Sequence, residues 1–459
     1  MKRVTLILVL MAIGLMALPQ PKTFRADYSL RFDTYWSTTD SIPFWMHSNQ
    51  NGIFKATNNS YQLLQAGTIR GYEVDSTAKW QVAYGVNAVL GLGDSLYLQM
   101  NQFWFGTGNQ WVRFEIGAKA PTVRFGGLSS ANGNYIWSNN ARPLPGITIS
   151  TNDFIPVGFW KDWFSLKALY QENIMTDDQF IKLAHLHHKI LAGRAKLDDW
   201  QITVGLEHLV YWGGESPEYG KLPGWEDYPR YIFGIAGSHN APDFEQKNVS
   251  GNALGMYFIE AEKEYSNKTI TFYWNHPFED KSGMEFNNIV DGLWGIHIKK
   301  KKNSILSEIV YEFMNTTNQS GPKHGEPRGR GKDDYFNNWV YKSGHTNYGQ
   351  TIGSPLYIPV FNDEGICIGF DSNRMVMHHL GVGGSVSEQV TWKSMLTWSN
   401  QLGTYFVPYT EPRSQFSFIA ECNYSPKKSP LTIRAGIAGD QGKMLQNSFG
   451  FFAGISYHY

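Results

Sequence analysis

Apolar and polar residues alternate with a period of two along most of this chain, from about residue 60 to its end. From Trp80 to Leu90, one face carries Trp80, Val82, Tyr84, Val86, Ala88 and Leu90, and the other Gln81, Ala83, Gly85 and Asn87. Val112, Phe114, Ile116 and Ala118 alternate with Arg113, Glu115, Gly117 and Lys119. The same pattern places Trp200, Ile202, Val204 and Leu206 on one face, and later Val390, Trp392, Leu396 and Trp398, then Leu431, Ile433, Ala435 and Ile437. Successive side chains of a strand point to opposite faces, so each segment predicts a strand with one apolar face. The segments are about ten residues long, which a tilted strand needs to cross a bilayer, and Trp or Tyr recurs near their ends. Helical periodicity is weak, and its best stretch is Asp177 to Ala195. Short turns at Gly91–Asp94 and Leu197–Asp199 predict one rim, and long segments at about 213–252 and 315–365 predict the other.

The ends sharpen this into an all-β, antiparallel outer-membrane β-barrel. Lys2 and Arg3 precede an apolar run from Val4 to Leu18, short for a spanning helix and the right size for a signal peptide. Residues 1–26 are expected to form that peptide, with cleavage between 17 and 26, and residues 27–459 a single barrel. Tyr28 to Tyr35 already alternates as a strand. Phe449, Phe451, Ala453, Ile455, Tyr457 and Tyr459 share a face, a pattern that resembles the closing strand of outer-membrane proteins. Such a chain is expected in the cell outer membrane, in contact with its lipid. With 40 basic and 40 acidic residues in 459, the zero net charge gives no reason to expect nucleic acid as a partner. Cys367 and Cys422 allow at most one disulfide.

Candidate chemistry is sparse. The sequence holds no nucleophile elbow, phosphate loop or dinucleotide fingerprint, so no enzyme and no cofactor are expected. His185 and His187 would share a strand face, but they lack an acidic or Cys partner at ligand spacing, and lining a lumen is the simpler role. Lys299 to Lys302 reads as a solvated turn, or as a contact for lipopolysaccharide phosphate. Between Lys323 and Gly353, Arg328, Arg330, Tyr335, Asn337, Trp339 and Tyr341 crowd together. Flat aromatic faces beside amides suit sugar rings, and Arg suits uronate carboxylates.

Asn337–Gly344, followed by Gly349–Leu356, resembles a motif of the capsule-assembly Wzi family. So do Ser138–Gly146, which contains Arg142, and Leu186–Lys189. Pro43–Met46 and Ser48–Gly52 are similar to the opening of Bacteroidetes-type members. The resemblance implies a barrel of 18 strands acting as a surface lectin that attaches capsular polysaccharide, with Arg142 added to the candidate contacts. The best-known members close the periplasmic mouth with an N-terminal helical bundle; the strand at Tyr28 leaves little room for one here. Two other roles fit the same fold: a docking subunit of another envelope complex with protein partners, and a porin-like channel.

Overall fold

A sheet that crosses hydrocarbon must satisfy every amide within itself, and only closure removes its edges. The computed structural model describes residues 22–54, 58–75, 79–239, 241, 246, 250–321 and 332–459. Eighteen antiparallel strands close on themselves. They are β1 (Lys22–Ser37), β2 (Ser60–Asp75), β3 (Trp80–Leu92), β4 (Leu96–Gly108), β5 (Val112–Ala118) and β6 (Pro145–Thr151). Then come β7 (Phe164–Ile174), β8 (His185–Leu197), β9 (Trp200–Trp212), β10 (Asn252–Glu264), β11 (Lys268–Phe278) and β12 (Gly292–Lys300). The last six are β13 (Glu308–Asn315), β14 (Met375–Ser385), β15 (Val390–Gly403), β16 (Pro408–Tyr424), β17 (Leu431–Gly442) and β18 (Ser448–His458). β1 pairs with both β2 and β18, setting Phe32 opposite Ile455 and Trp36 opposite Phe451.

The sequence alternation is the inside–outside alternation of this wall. Phe449, Phe451, Ile455 and Tyr457 are exposed on the outer surface, while Phe452 between them is buried inside. Ile116, Val204, Ile433 and Ile437 face outward in the same way, and Asn101, Thr203, Glu207 and Asn275 face the lumen. The weak helical period at Asp177 to Ala195 does not give a helix. Residues 175–184 are a connection and the remainder is β8, where strand pairing on both sides overrides the weak helical period.

Because β1 leaves from one rim, every connection from an odd to an even strand lies at the opposite rim. Among the described residues, that rim carries 38–54, 58–59, 119–144, 213–239, 250–251, 279–291, 316–321 and 332–374. It also carries the short β3–β4 turn, so Gly91–Asp94 lies on the rim opposite Leu197–Asp199. Lys299–Lys302 lies on the turn rim, where Lys301 pairs with Glu264 and Lys299 with Glu308. His185 and His187 do share a face, but it is the outer one. The register of β8 turns Leu186 and His188 into the lumen, and Tyr228 from the 213–251 connection folds down against His187. Cys367 is buried, Cys422 is exposed, and both are free.

No bundle precedes β1 among the described residues; the lumen is filled from the long-loop rim. β5 and β6 are short, and the connection between them drops inward as a plug. Its anchor is the buried carboxylate of Glu312 on β13. One oxygen of Glu312 accepts from Ser129 Oγ at 2.5 Å and Tyr273 Oη at 2.6 Å, and the other from the Ser130 amide at 2.7 Å. Arg124 pairs with Glu260, Asn134 donates to Glu207 at 2.7 Å, and the Leu128 carbonyl meets His379 Nε2 at 2.8 Å. The Trp137 ring stacks on His188 with centroids 4.4 Å apart. Gly381 leaves room for this approach, since a Cβ there would lie 2.2 Å from the Leu128 carbonyl oxygen.

Glu312→Ala strips three buried donors of their acceptor. It is expected to destabilise the folded barrel by about 1–3 kcal/mol, read as a lower denaturant midpoint in detergent. An unchanged midpoint would show that the plug is held elsewhere.

Candidate functional site

The connections at the long-loop rim converge on a small hairpin, Thr346–Asn347 paired with Gln350–Thr351. Its two turn residues, Tyr348 and Gly349, have φ of 50° and 71°. Positive φ at both positions is the mirror-image turn that suits a two-residue hairpin. Glycine takes it freely, whereas a bulky aromatic residue rarely does. Tyr348 is held there from three sides. Its amide donates to Asp177 Oδ2 at 2.6 Å, its hydroxyl lies 3.3 Å from Thr176 Oγ1, and the Arg142 guanidinium sits 3.6 Å from its ring centroid. Such strain persists only where the surroundings over-determine it. The residue stays 42% exposed.

Beside it opens a cavity of about 660 Å³ whose walls include Phe44, Phe54, Tyr357, Phe361, Gln350 and Asp177. Asp178, Asp440, His47 and Cys367 are also in its lining. Asp177 Oδ1 and Gln350 Oε1 are buried acceptors without a hydrogen-bond partner. Burial pushes the Asp177 carboxyl up, against the Tyr348 amide bond that lowers it. Burial also holds the His47 imidazole down at about 4, so it is neutral at physiological pH. Burial lowers the Arg142 guanidinium, which nevertheless remains a cation. The arrangement offers aromatic faces and hydrogen-bond acceptors, the features that a ring with several hydroxyls meets well.

The residues singled out from the sequence divide sharply. Tyr335 is fully buried, donating to Asp291 at 3.0 Å and accepting from Asn288. Tyr341 is buried too, its hydroxyl 3.3 Å from the Gly213 carbonyl. Asn337 clamps the backbone of Phe370 by two hydrogen bonds, of 2.8 and 3.0 Å. These three build the cap rather than present a face. Trp339 is 68% exposed, edge-on to Phe406. Arg142 stands behind Tyr348. Arg328 and Arg330 lie outside the described residues. Sequence reasoning missed Tyr348, Phe361, Gln350 and Asp177. The signal was thin: Tyr348-Gly349 is not a common turn pair, and only the fold sets Asp177 beside it.

A family model described as capsule assembly protein Wzi matches residues 48–357, two thirds of the chain. The chain belongs to the Wzi capsule assembly family. It is therefore an outer-membrane protein, with the lipid-facing belt described above and its long loops outside the cell. Among solved structures it is similar to Wzi of Escherichia coli, described as an outer membrane protein involved in group 1 capsule assembly and a carbohydrate-binding β-barrel. That match has 12% identity over 93% of this chain and 83% of that one, with a TM-score of 0.59. Looser matches include Pseudomonas aeruginosa OpdQ (8% identity, 95% and 98% covered, TM-score 0.49) and OccK5 (10%, 96% and 99%, TM-score 0.49). No curated protein matches the sequence.

Beneath the cap lies an acidic layer. Burial raises Asp291 to about 6 and, with Asp280 nearby, Asp333 to about 7, while burial and the neighbouring Asp333 and Asp334 push Glu279 well up. A raised carboxyl binds a proton in the folded cap that the unfolded chain has released. Its contribution is complete below about pH 4 and is lost as pH rises through the folded values. His345, held at about 4 by burial, acts in the opposite sense only at pH below its ordinary value near 6.5. The cap is therefore expected to exchange its amides faster at pH 8 than at pH 6.5, after correction for intrinsic rates. Asp333→Asn should shrink the difference, and slower exchange at pH 8 would contradict the assignment.

Proposed function

We propose that this protein is a surface lectin that tethers capsular or extracellular polysaccharide to the outer membrane and performs no chemistry on it. The observation that carries the reading is the exposed Tyr348 residue over an aromatic-walled cavity, on the extracellular side of a plugged lumen. Family membership supports it, and so does the carbohydrate binding described for the Escherichia coli protein. In this reading Tyr348 and Phe361 stack against sugar rings, and Arg142 keeps Tyr348 in place. Trp339 forms a second contact further along the rim; Arg328 and Arg330, which the sequence groups with it, lie outside the described residues. Export by a signal peptide at residues 1–26, of which 1–21 lie outside the described residues, belongs to the same reading. Lipopolysaccharide would surround the rim, where Trp225, Phe233 and Ile235 are exposed.

Deleting the gene should release polysaccharide into the medium while synthesis continues; fully retained polysaccharide would sink the proposal. Tyr348→Ala should weaken binding of the purified protein to that polysaccharide roughly tenfold, about 1.4 kcal/mol. Arg328→Ala combined with Trp339→Ala tests the rim, and unaltered binding there would leave the cavity as the contact.

A further inference from the structure

We infer that the cavity beside Tyr348 takes a sugar unit that is uncharged or bears an amino group, and rejects uronates. The inference rests on the lectin reading and adds the chemical class of what is bound.

It follows from the charges in the wall. Asp177, Asp178 and Asp440 line the cavity, and no Lys or Arg does so among the described residues. His47 supplies no compensating positive charge, because burial keeps its imidazole neutral. The Arg142 guanidinium lies against the Tyr348 ring, donates to Gln99 and offsets part of the Asp177 charge, so the exposed carboxylate of Asp178 carries the negative face. Asp440 is already satisfied by Ser417, Ser448 and the Phe44 amide. Asp178 is exposed in the lining, and its carboxylate oxygens accept from donors. Sugar hydroxyls supply donors, and an ammonium supplies stronger, charge-assisted ones. A carboxylate supplies none and would sit among like charges in a partly desolvated space. The aromatic wall is indifferent to this choice, so the carboxylates decide it.

The test uses the full-length protein in detergent and the cell's own surface polysaccharide, purified and compared with the same material after chemical reduction of its carboxyl groups. Binding is expected to be equal or tighter after reduction, and to fall when free amines are acetylated, if the polymer carries them. Asp178→Lys, at an exposed position, should reverse the order and favour the unreduced acidic polymer by roughly tenfold. A heat-modifiable gel shift like that of the unaltered protein would show that the variant is folded. Loss of binding on carboxyl reduction, with the remaining affinity still sensitive to Tyr348→Ala, would overturn this inference and leave the lectin reading standing. If neither polymer binds, both fall.

Discussion

A closed sheet of eighteen strands encloses more space than its inward side chains fill, and any group placed there must find a hydrogen-bond partner or water. Here the carboxylate of Glu312 meets that requirement for the plug. It accepts from Ser129, Ser130 and Tyr273, all buried, and so fixes one connection deep inside the wall. A buried carboxylate with these donors is stable in place, whereas one stripped of them is costly. The inward course of residues 119–144 starts from this bond.

From that anchor the order spreads to the mouth. Leaving the lumen, the plug passes through Ser138, whose hydroxyl donates to the Gly353 carbonyl at 2.6 Å, and Asn140, which donates to the Thr351 carbonyl at 2.9 Å. Asn139 donates to the Asn49 carbonyl at 2.8 Å, and Asn347 returns a bond of 2.7 Å to the Arg142 carbonyl. Three segments from distant parts of the chain thus meet at one junction. The hairpin bearing Tyr348 stands on it, with Arg142 behind the ring and Asp177 beneath its amide. Rigid support of this kind lets a mostly irregular surface keep a defined shape, since its amides and carbonyls are paired with fixed partners.

The wall was legible in the sequence because period-two alternation has one meaning when one face must be apolar. The outward run of Phe449, Phe451, Ile455 and Tyr457 shows it directly. The rim assignment of Gly91–Asp94 was not legible, since turn length does not reveal which end of a strand a turn joins. The plug was hidden for another reason. Ser138, Asn139 and Asn140 are polar residues of the kind found in any exposed loop, and nothing local says they are buried. Motif resemblance flagged Ser48–Gly52, Ser138–Gly146 and Gly349–Leu356 separately; only the fold shows that they form one junction. Aromatic residues in a loop read alike whether buried or exposed, and this is why Tyr335 and Tyr341 were grouped with Trp339 while Tyr348 was passed over.

The plug fills the lumen between the strands, and conductance of the purified protein in planar bilayers tests that closure. Ala118 and Pro145 are paired neighbours on β5 and β6, so a short glycine-rich turn can replace residues 119–144 without parting the strands. The unaltered protein should be silent, and the version without its plug should conduct steadily. Steady, porin-sized conductance from the unaltered protein would contradict closure by the plug.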